Sequence, residues 1–192
     1  MLKINGSASR VAFATALLTA LLASPASAAE CPTEPTIQPY THLGDHNHYF
    51  LADGGDFEGA LRWTALGAAS VVDGVNPADP NGTRTARLDP DGSFGSLPIC
   101  VDGGRPHLRF GAFSRSGTGT LKVDAFLENG SKVSLARLSA GGYAGWTTTP
   151  MIPLAAALTI PAGDSLQIRL RIGAAGGSWL MDGVYIDPYL RG

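Results

Sequence analysis

Apolar and polar residues alternate with a period of two along several short stretches of this chain. Residues 107–114 (HLRFGAFS) set Leu108, Phe110 and Ala112 on one face and Arg109, Gly111 and Phe113 on the other. Residues 121–128 (LKVDAFLE) oppose Leu121, Val123, Ala125 and Leu127 to Lys122, Asp124 and Phe126. Residues 165–172 (SLQIRLRI) do the same with Leu166, Ile168, Leu170 and Ile172 against Gln167, Arg169 and Arg171. This period belongs to strands that bury one face. Asn129-Gly130 predicts a hairpin with a two-residue type I′ turn, and 131–139 is the returning strand. Residues 48–51, 63–66, 69–72, 83–88 and 178–186 read as further strands, and 96–101 leads through Cys100 to a turn at 102–104. Residues 73–82 (DGVNPADPNG), 89–92 (DPDG) and 173–177 carry turn chemistry. Residues 153–160 (PLAAALTI) suit either a strand or a short helical turn, because alanine and leucine also favour helix. Short strands recurring between turns predict an all-β, antiparallel sandwich.

The amino terminus lies outside this pattern. Lys3 and Arg10 precede a short apolar run, and small residues follow at Ser24 to Ala29. That order predicts a secretory signal peptide over 1–29, leaving 30–192 as a single β-sandwich domain. The chain is then expected to be exported, secreted and extracellular. The whole sequence has 14 basic and 16 acidic residues, a net charge of −2; removal of the leader makes it about −4. Such a balance gives no basic footprint for nucleic acid, and no further apolar run is long enough for a membrane span. In an oxidising compartment, the two cysteines, Cys31 and Cys100, read first as a disulfide.

One early segment organises the rest. In 54–63 (GGDFEGALRW), two glycines permit a tight turn, and Phe57 and Trp63 are large enough to anchor a core. Glu58 between them needs a hydrogen-bond donor, an arginine or a cation. The expected counterpart is the last strand, 179–187 (WLMDGVYID), lying beside this turn.

With 107–130 between them, these two ends resemble a family of secreted bacterial single-domain β-sandwich proteins of unassigned function. More loosely, they resemble the galactose-binding-like jelly rolls, which include many carbohydrate-binding modules. The first resemblance spans nearly all the mature chain with both cysteines; the second rests on the two ends. The resemblance implies a jelly roll that binds carbohydrate at or outside the cell surface without catalysis. It also implies a structural calcium held by Glu58 and Asp182. The sequence departs from the jelly-roll pattern at Asp182-Gly183, where a second acid is common, and fewer acids mean weaker calcium binding.

Two further sets of residues carry candidate chemistry. The polar faces of 107–114, 121–128 and 165–172, if these strands are neighbours, present Arg109, Phe113, Lys122, Asp124, Phe126, Gln167, Arg169 and Arg171 as one ligand-binding surface. Aromatic rings would stack on a sugar's apolar face, and the polar groups would bond its hydroxyls. An ordinary solvated sheet with cross-strand ion pairs is the plain alternative. His42, Asp45, His46 and His48 form a ligand-like cluster suited to zinc or copper, and hence to a metal-dependent enzyme. No nucleophile elbow or calcium-binding helix-loop-helix signature is present. A polysaccharide or cell-surface glycan is thus the expected partner, with a structural or protein-interaction domain as the alternative.

Overall fold

The computed structural model describes residues 31–77, 79, 82–161 and 163–187. The expected leader lies outside them. Thirteen strands follow in chain order: β1 Phe50–Leu51, β2 Thr64–Leu66, β3 Ala69–Asp73, β4 Arg84–Leu88, β5 Ser93–Gly95, β6 Ile99–Asp102, β7 His107–Ser114, β8 Thr120–Leu127, β9 Lys132–Ser139, β10 Thr147–Thr148, β11 Ile152–Pro153, β12 Ser165–Ala175 and β13 Trp179–Asp187. A single helical turn, α1 Ala155–Leu158, sits between β11 and β12 and closes on Thr159 in the left-handed region. This resolves 153–160 as both alternatives in sequence: a two-residue strand end, then a turn of helix.

The strands form two antiparallel sheets stacked as a jelly-roll sandwich. The first runs β10-β7-β13-β4-β3, with β1 extending β13 and β11 extending β7. The second runs β2-β5-β12-β8-β9, with β6 also on β12. Each is built on a long hydrogen-bonded pair: β7 with β13 in the first, and β8 with β12 from Leu127–Ile168 to Thr120–Ala175 in the second. The alternation explains the core. Leu108, Phe110, Trp179 and Met181 from the first sheet meet Leu121, Val123, Ile168, Leu170 and Ile172 from the second, all at most 1% exposed. Burying one such aliphatic or aromatic side chain contributes about 1.5–3 kcal/mol.

The two ends of the domain meet as expected. β1 pairs with β13 through Phe50–Ile186 and Leu51–Tyr185. The following turn stays on that strand: Ala52 N donates to Val184 O at 2.9 Å, and Val184 N donates to Gly55 O at 3.0 Å. Gly55 allows this approach, since a Cβ there would lie 2.8 Å from Ala52 O. Gly183, at φ 60°, carries the β-bulge that shifts register between Asp182 and Tyr185. Phe57 and Trp63 are each 1% exposed, with ring centroids 5.7 Å apart. Cys31 and Cys100 form a disulfide, tying the start of the N-terminal segment to β6.

Three local expectations need correction. β5 lies where no strand is predicted, its three residues too few to show a period. The 173–177 turn begins later, because β12 continues to Ala175. The β8–β9 hairpin is not a type I′ turn: Asn129 has negative φ, and Gly130 alone is positive at 80°. Gly130 N bonds Leu127 O, and Leu127 N bonds Ser131 O. That is a longer loop built on a type I turn followed by a glycine bulge.

Candidate functional site

Six of the eight residues expected to form one ligand surface share the outer face of the second sheet. Cross-strand pairing sets Arg169 opposite Phe126, Arg171 opposite Asp124, and Gly173 opposite Lys122. Gln167 continues the row at Cys100 of β6. Gln167, Arg169 and Arg171 are exposed, whereas Lys122, Asp124 and Phe126 are half-buried. β9 adds three residues that the sequence did not single out. Arg137 opposes Lys122, Ser134 opposes Asp124, and Lys132 opposes Phe126. At one end of the face, a depression of about 390 Å³ is lined by Pro98, Phe126, Glu128, Gln167 and Arg169.

The other two expected residues, Arg109 and Phe113, are elsewhere. β7 joins the first sheet because β13 pairs with it from His107 to Ser114, so both side chains point out on the opposite side of the molecule. Phe113 packs against Trp146 at 6.2 Å between ring centroids. Arg109 is covered by the N-terminal segment: its guanidinium lies 4.6 Å from the Tyr40 ring centroid, pairs with Asp45 and donates to Thr149 O. Its side chain is 13% exposed.

Phe126 is not a bare platform either, since the Arg171 guanidinium sits 4.9 Å from its ring centroid. Asp124 faces Lys132 at 3.6 Å. The face is therefore a bed of cations around one covered ring, rather than an open aromatic shelf.

The residues of the expected metal cluster go separate ways. The Asp45 carboxylate accepts from Tyr49 Oη at 2.7 Å and Asn47 N at 3.0 Å as well as from Arg109. Burial works to raise its pKa, but these donors and the guanidinium outweigh it and hold it below the ordinary value. The His48 ring lies beside Thr36 and Gln38, and His46 contributes its carbonyl to Gln38 Nε2. His42 lines a separate depression of about 390 Å³ with Leu43, Asn76, Pro77, Trp146, Thr147 and Thr148. Among the described residues, no three His, Cys, Asp or Glu side chains are grouped to hold a metal ion.

Glu58 and Asp182, expected to share a calcium, are used differently. Both Glu58 oxygens accept protein donors: Oε1 from Thr83 N at 2.6 Å and Arg84 N at 2.8 Å, and Oε2 from Thr83 Oγ1 at 2.8 Å. The Thr83 backbone bond, with these others, lowers its pKa against the opposing effect of burial. The need for a donor at Glu58 is thus met by the entrance to β4. Asp182 is 1% exposed, and its Oδ1 accepts from Gly183 N at 2.8 Å. Its Oδ2 is buried without a well-formed hydrogen bond. Burial pushes this carboxyl up to about 8, with Asp79 and Asp56 adding to the rise while Gly183 N and the Asn76 amide oppose it. Glu58 is engaged by three protein donors, while Asp182 keeps one buried oxygen without such a partner.

No family model and no curated protein matches the sequence. Solved structures similar to it include the family 11 carbohydrate-binding module of a cellulosomal cellulase of Clostridium thermocellum. That match has 16% identity and a TM-score of 0.45, covering 73% of this chain and 94% of that one. A second is the family 22 xylan-binding domain of a Paenibacillus barcinonensis xylanase, at 13% identity, TM-score 0.43, and 65% and 84% coverage. A third is a Clostridium thermocellum endo-xylanase solved as linked binding and catalytic modules with xylohexaose. It has 20% identity and a TM-score of 0.43, covering 68% of this chain and 27% of that one.

Proposed function

We propose that this protein is an exported glycan-binding domain whose binding surface is the outer face of the second sheet. One observation carries the proposal: Lys122, Asp124, Phe126, Gln167, Arg169 and Arg171 are brought onto one uncovered face by the pairing of β8 with β12. Exposed guanidinium, amide and ammonium groups beside a depression suit the hydroxyls and ring oxygens of a sugar chain. We take the domain to bind without cleaving. Glycoside hydrolysis uses two carboxyl groups facing each other across the bond, whereas Asp124 is half-buried and turned to Lys132. The disulfide between Cys31 and Cys100 accords with an oxidising compartment. No helix among the described residues is long and apolar enough to cross a membrane.

Affinity electrophoresis against a panel of soluble polysaccharides tests this. Retarded migration in at least one gel is expected, with the shift lost in Arg169→Ala and Gln167→Ala and kept in Trp146→Ala. A panel with no retardation would remove the proposal. So would a shift that disappears in Trp146→Ala and survives in Arg169→Ala, because the site would then be the depression beside His42.

A further inference from the structure

The outer face of the second sheet is strongly basic on a protein that is acidic overall. Lys122, Lys132, Arg137, Arg169 and Arg171 occupy three adjacent strands; the carboxylates beside them are Asp124 and, at the end with the depression, Glu128. The whole chain carries 14 basic and 16 acidic residues, and Arg62, Arg87, Arg105 and Arg109 elsewhere are each paired with a carboxylate. Lys132 answers Asp124 at 3.6 Å; Lys122, Arg137 and Arg169 have no ion-pair partner among the described residues. Lys122 and Arg137 stand directly opposite each other across the β8–β9 ladder. Like charges in that position weaken a sheet. The arrangement is relieved when anionic groups arrive from outside, and guanidinium groups take carboxylates and sulfates through paired hydrogen bonds.

The aromatic on this face points the same way. A neutral sugar or a nucleobase would need the Phe126 ring to stack on, but Arg171 lies over it at 4.9 Å. What the face offers a ligand is charge. Double-stranded DNA, with one charge per ~1.7 Å, is recognised by domains of basic overall charge, and this chain has a sequence pI of about 6.0.

We propose that the ligand is an acidic polysaccharide, a glycan bearing a carboxylate or sulfate on its sugars, gripped by Lys122, Arg137, Arg169 and Arg171. The proposal rests on the glycan-binding reading above and names its class of glycan.

The full chain should be titrated with polygalacturonate, the same polymer methyl-esterified, dextran sulfate, and double-stranded DNA. Binding to polygalacturonate or dextran sulfate is expected to be at least tenfold tighter than to the esterified polymer. It should weaken several-fold between low and physiological salt. Whichever acid polymer binds identifies carboxylate or sulfate as the source of the charge. The double variant Arg137→Gln/Arg169→Gln should lose at least tenfold, and Arg87→Gln, on β4 of the first sheet, should lose nothing. Equal binding to the esterified polymer would overturn the charge inference and leave glycan binding standing. DNA binding as tight as the acid polysaccharide, through the same arginines, would also overturn it. Binding to none of the polysaccharides would sink both readings.

Discussion

The outer faces of the two sheets are built from the same alternating pattern and have opposite fates. On the first sheet, outward residues of β7 and β13 are roofed by the chain itself. The N-terminal segment lays Tyr40, Asp45 and Tyr49 over Arg109, and the Tyr40 ring meets both Tyr49 and Tyr185 edge-on. The loop after β3 places the Asn76 amide against Gly111 and Asp182; a Cβ on Gly111 would lie 2.6 Å from Asn76 Nδ2. On the second sheet, Arg169, Arg171, Lys132 and Arg137 remain exposed. An arginine under a roof is an anchor for the fold, and an arginine in the open is available to a ligand. Substitutions on the first face should therefore register in stability, and those on the second in binding.

The largest effect is expected from the tether of the roof. Replacing Cys31 and Cys100 with serine opens a loop spanning 69 positions, and the chain-entropy model gives a loss of about 4 kcal/mol. Urea unfolding of the oxidised protein and the double variant measures it. Binding by the second sheet should persist under conditions where the variant is still folded.

Arg109→Ala should cost about 3 kcal/mol, because it takes the cation away from the Asp45 carboxylate, whose side chain is 12% exposed, and leaves Tyr49 Oη and Asn47 N as its donors. Denaturant midpoints would show this, and glycan affinity should not move. A loss of affinity without a loss of stability would break the distinction between the faces.

Asp182→Asn is expected to act in the opposite direction. Its carboxyl pKa in the folded protein, about 8, lies above that of the unfolded chain. The folded state therefore holds a proton that the unfolded state releases from about pH 4 upward. Stability from this group is greatest at acid pH and is lost as pH rises toward 8. Asparagine keeps an acceptor for Gly183 N and removes the ionisation, so it should gain ~2 kcal/mol at neutral pH and flatten the pH profile. Thermal melts across pH 4–8 give the sign directly. Because Glu58 is engaged by Thr83 and Arg84, added calcium should leave both melting temperatures unchanged. A rise in the wild type alone would make Asp182 a cation ligand.

The smallest stability effect is expected at the open face. Arg169→Ala should change unfolding by less than about 0.5 kcal/mol, as exposed surface substitutions generally do, while lowering glycan affinity about tenfold.

These contrasts also show what could be read from the residues alone. Period-two alternation identified the inward and outward sides of β7, β8 and β12, since a core must be apolar whatever its neighbours. It carried no information on which strands are adjacent. β7 is separated from β8 in the fold because its long partner is β13, a non-local pairing that no local pattern records. Arg137 was hidden for a different reason. The bulge at Val123–Asp124 shifts the phase of β9, bringing Arg137 onto the face with Lys132 and Ser134. A count from the hairpin with unbroken register would turn it inward. The meeting of 52–55 with Val184 was legible because glycine-rich turns and the closing strand carry recognisable residues. The use of Glu58 as a cap for β4 was not, since a carboxylate serves backbone donors and cations equally well.

The most direct test of the division between the faces is a backbone amide NMR titration with the tightest-binding polysaccharide. Shifts are expected to concentrate at Lys122, Phe126, Arg137, Arg169 and Arg171, with Tyr40, Asp45, Arg109 and Asp182 unmoved. Shifts centred on His42, Trp146 and Thr147 instead would contradict that division.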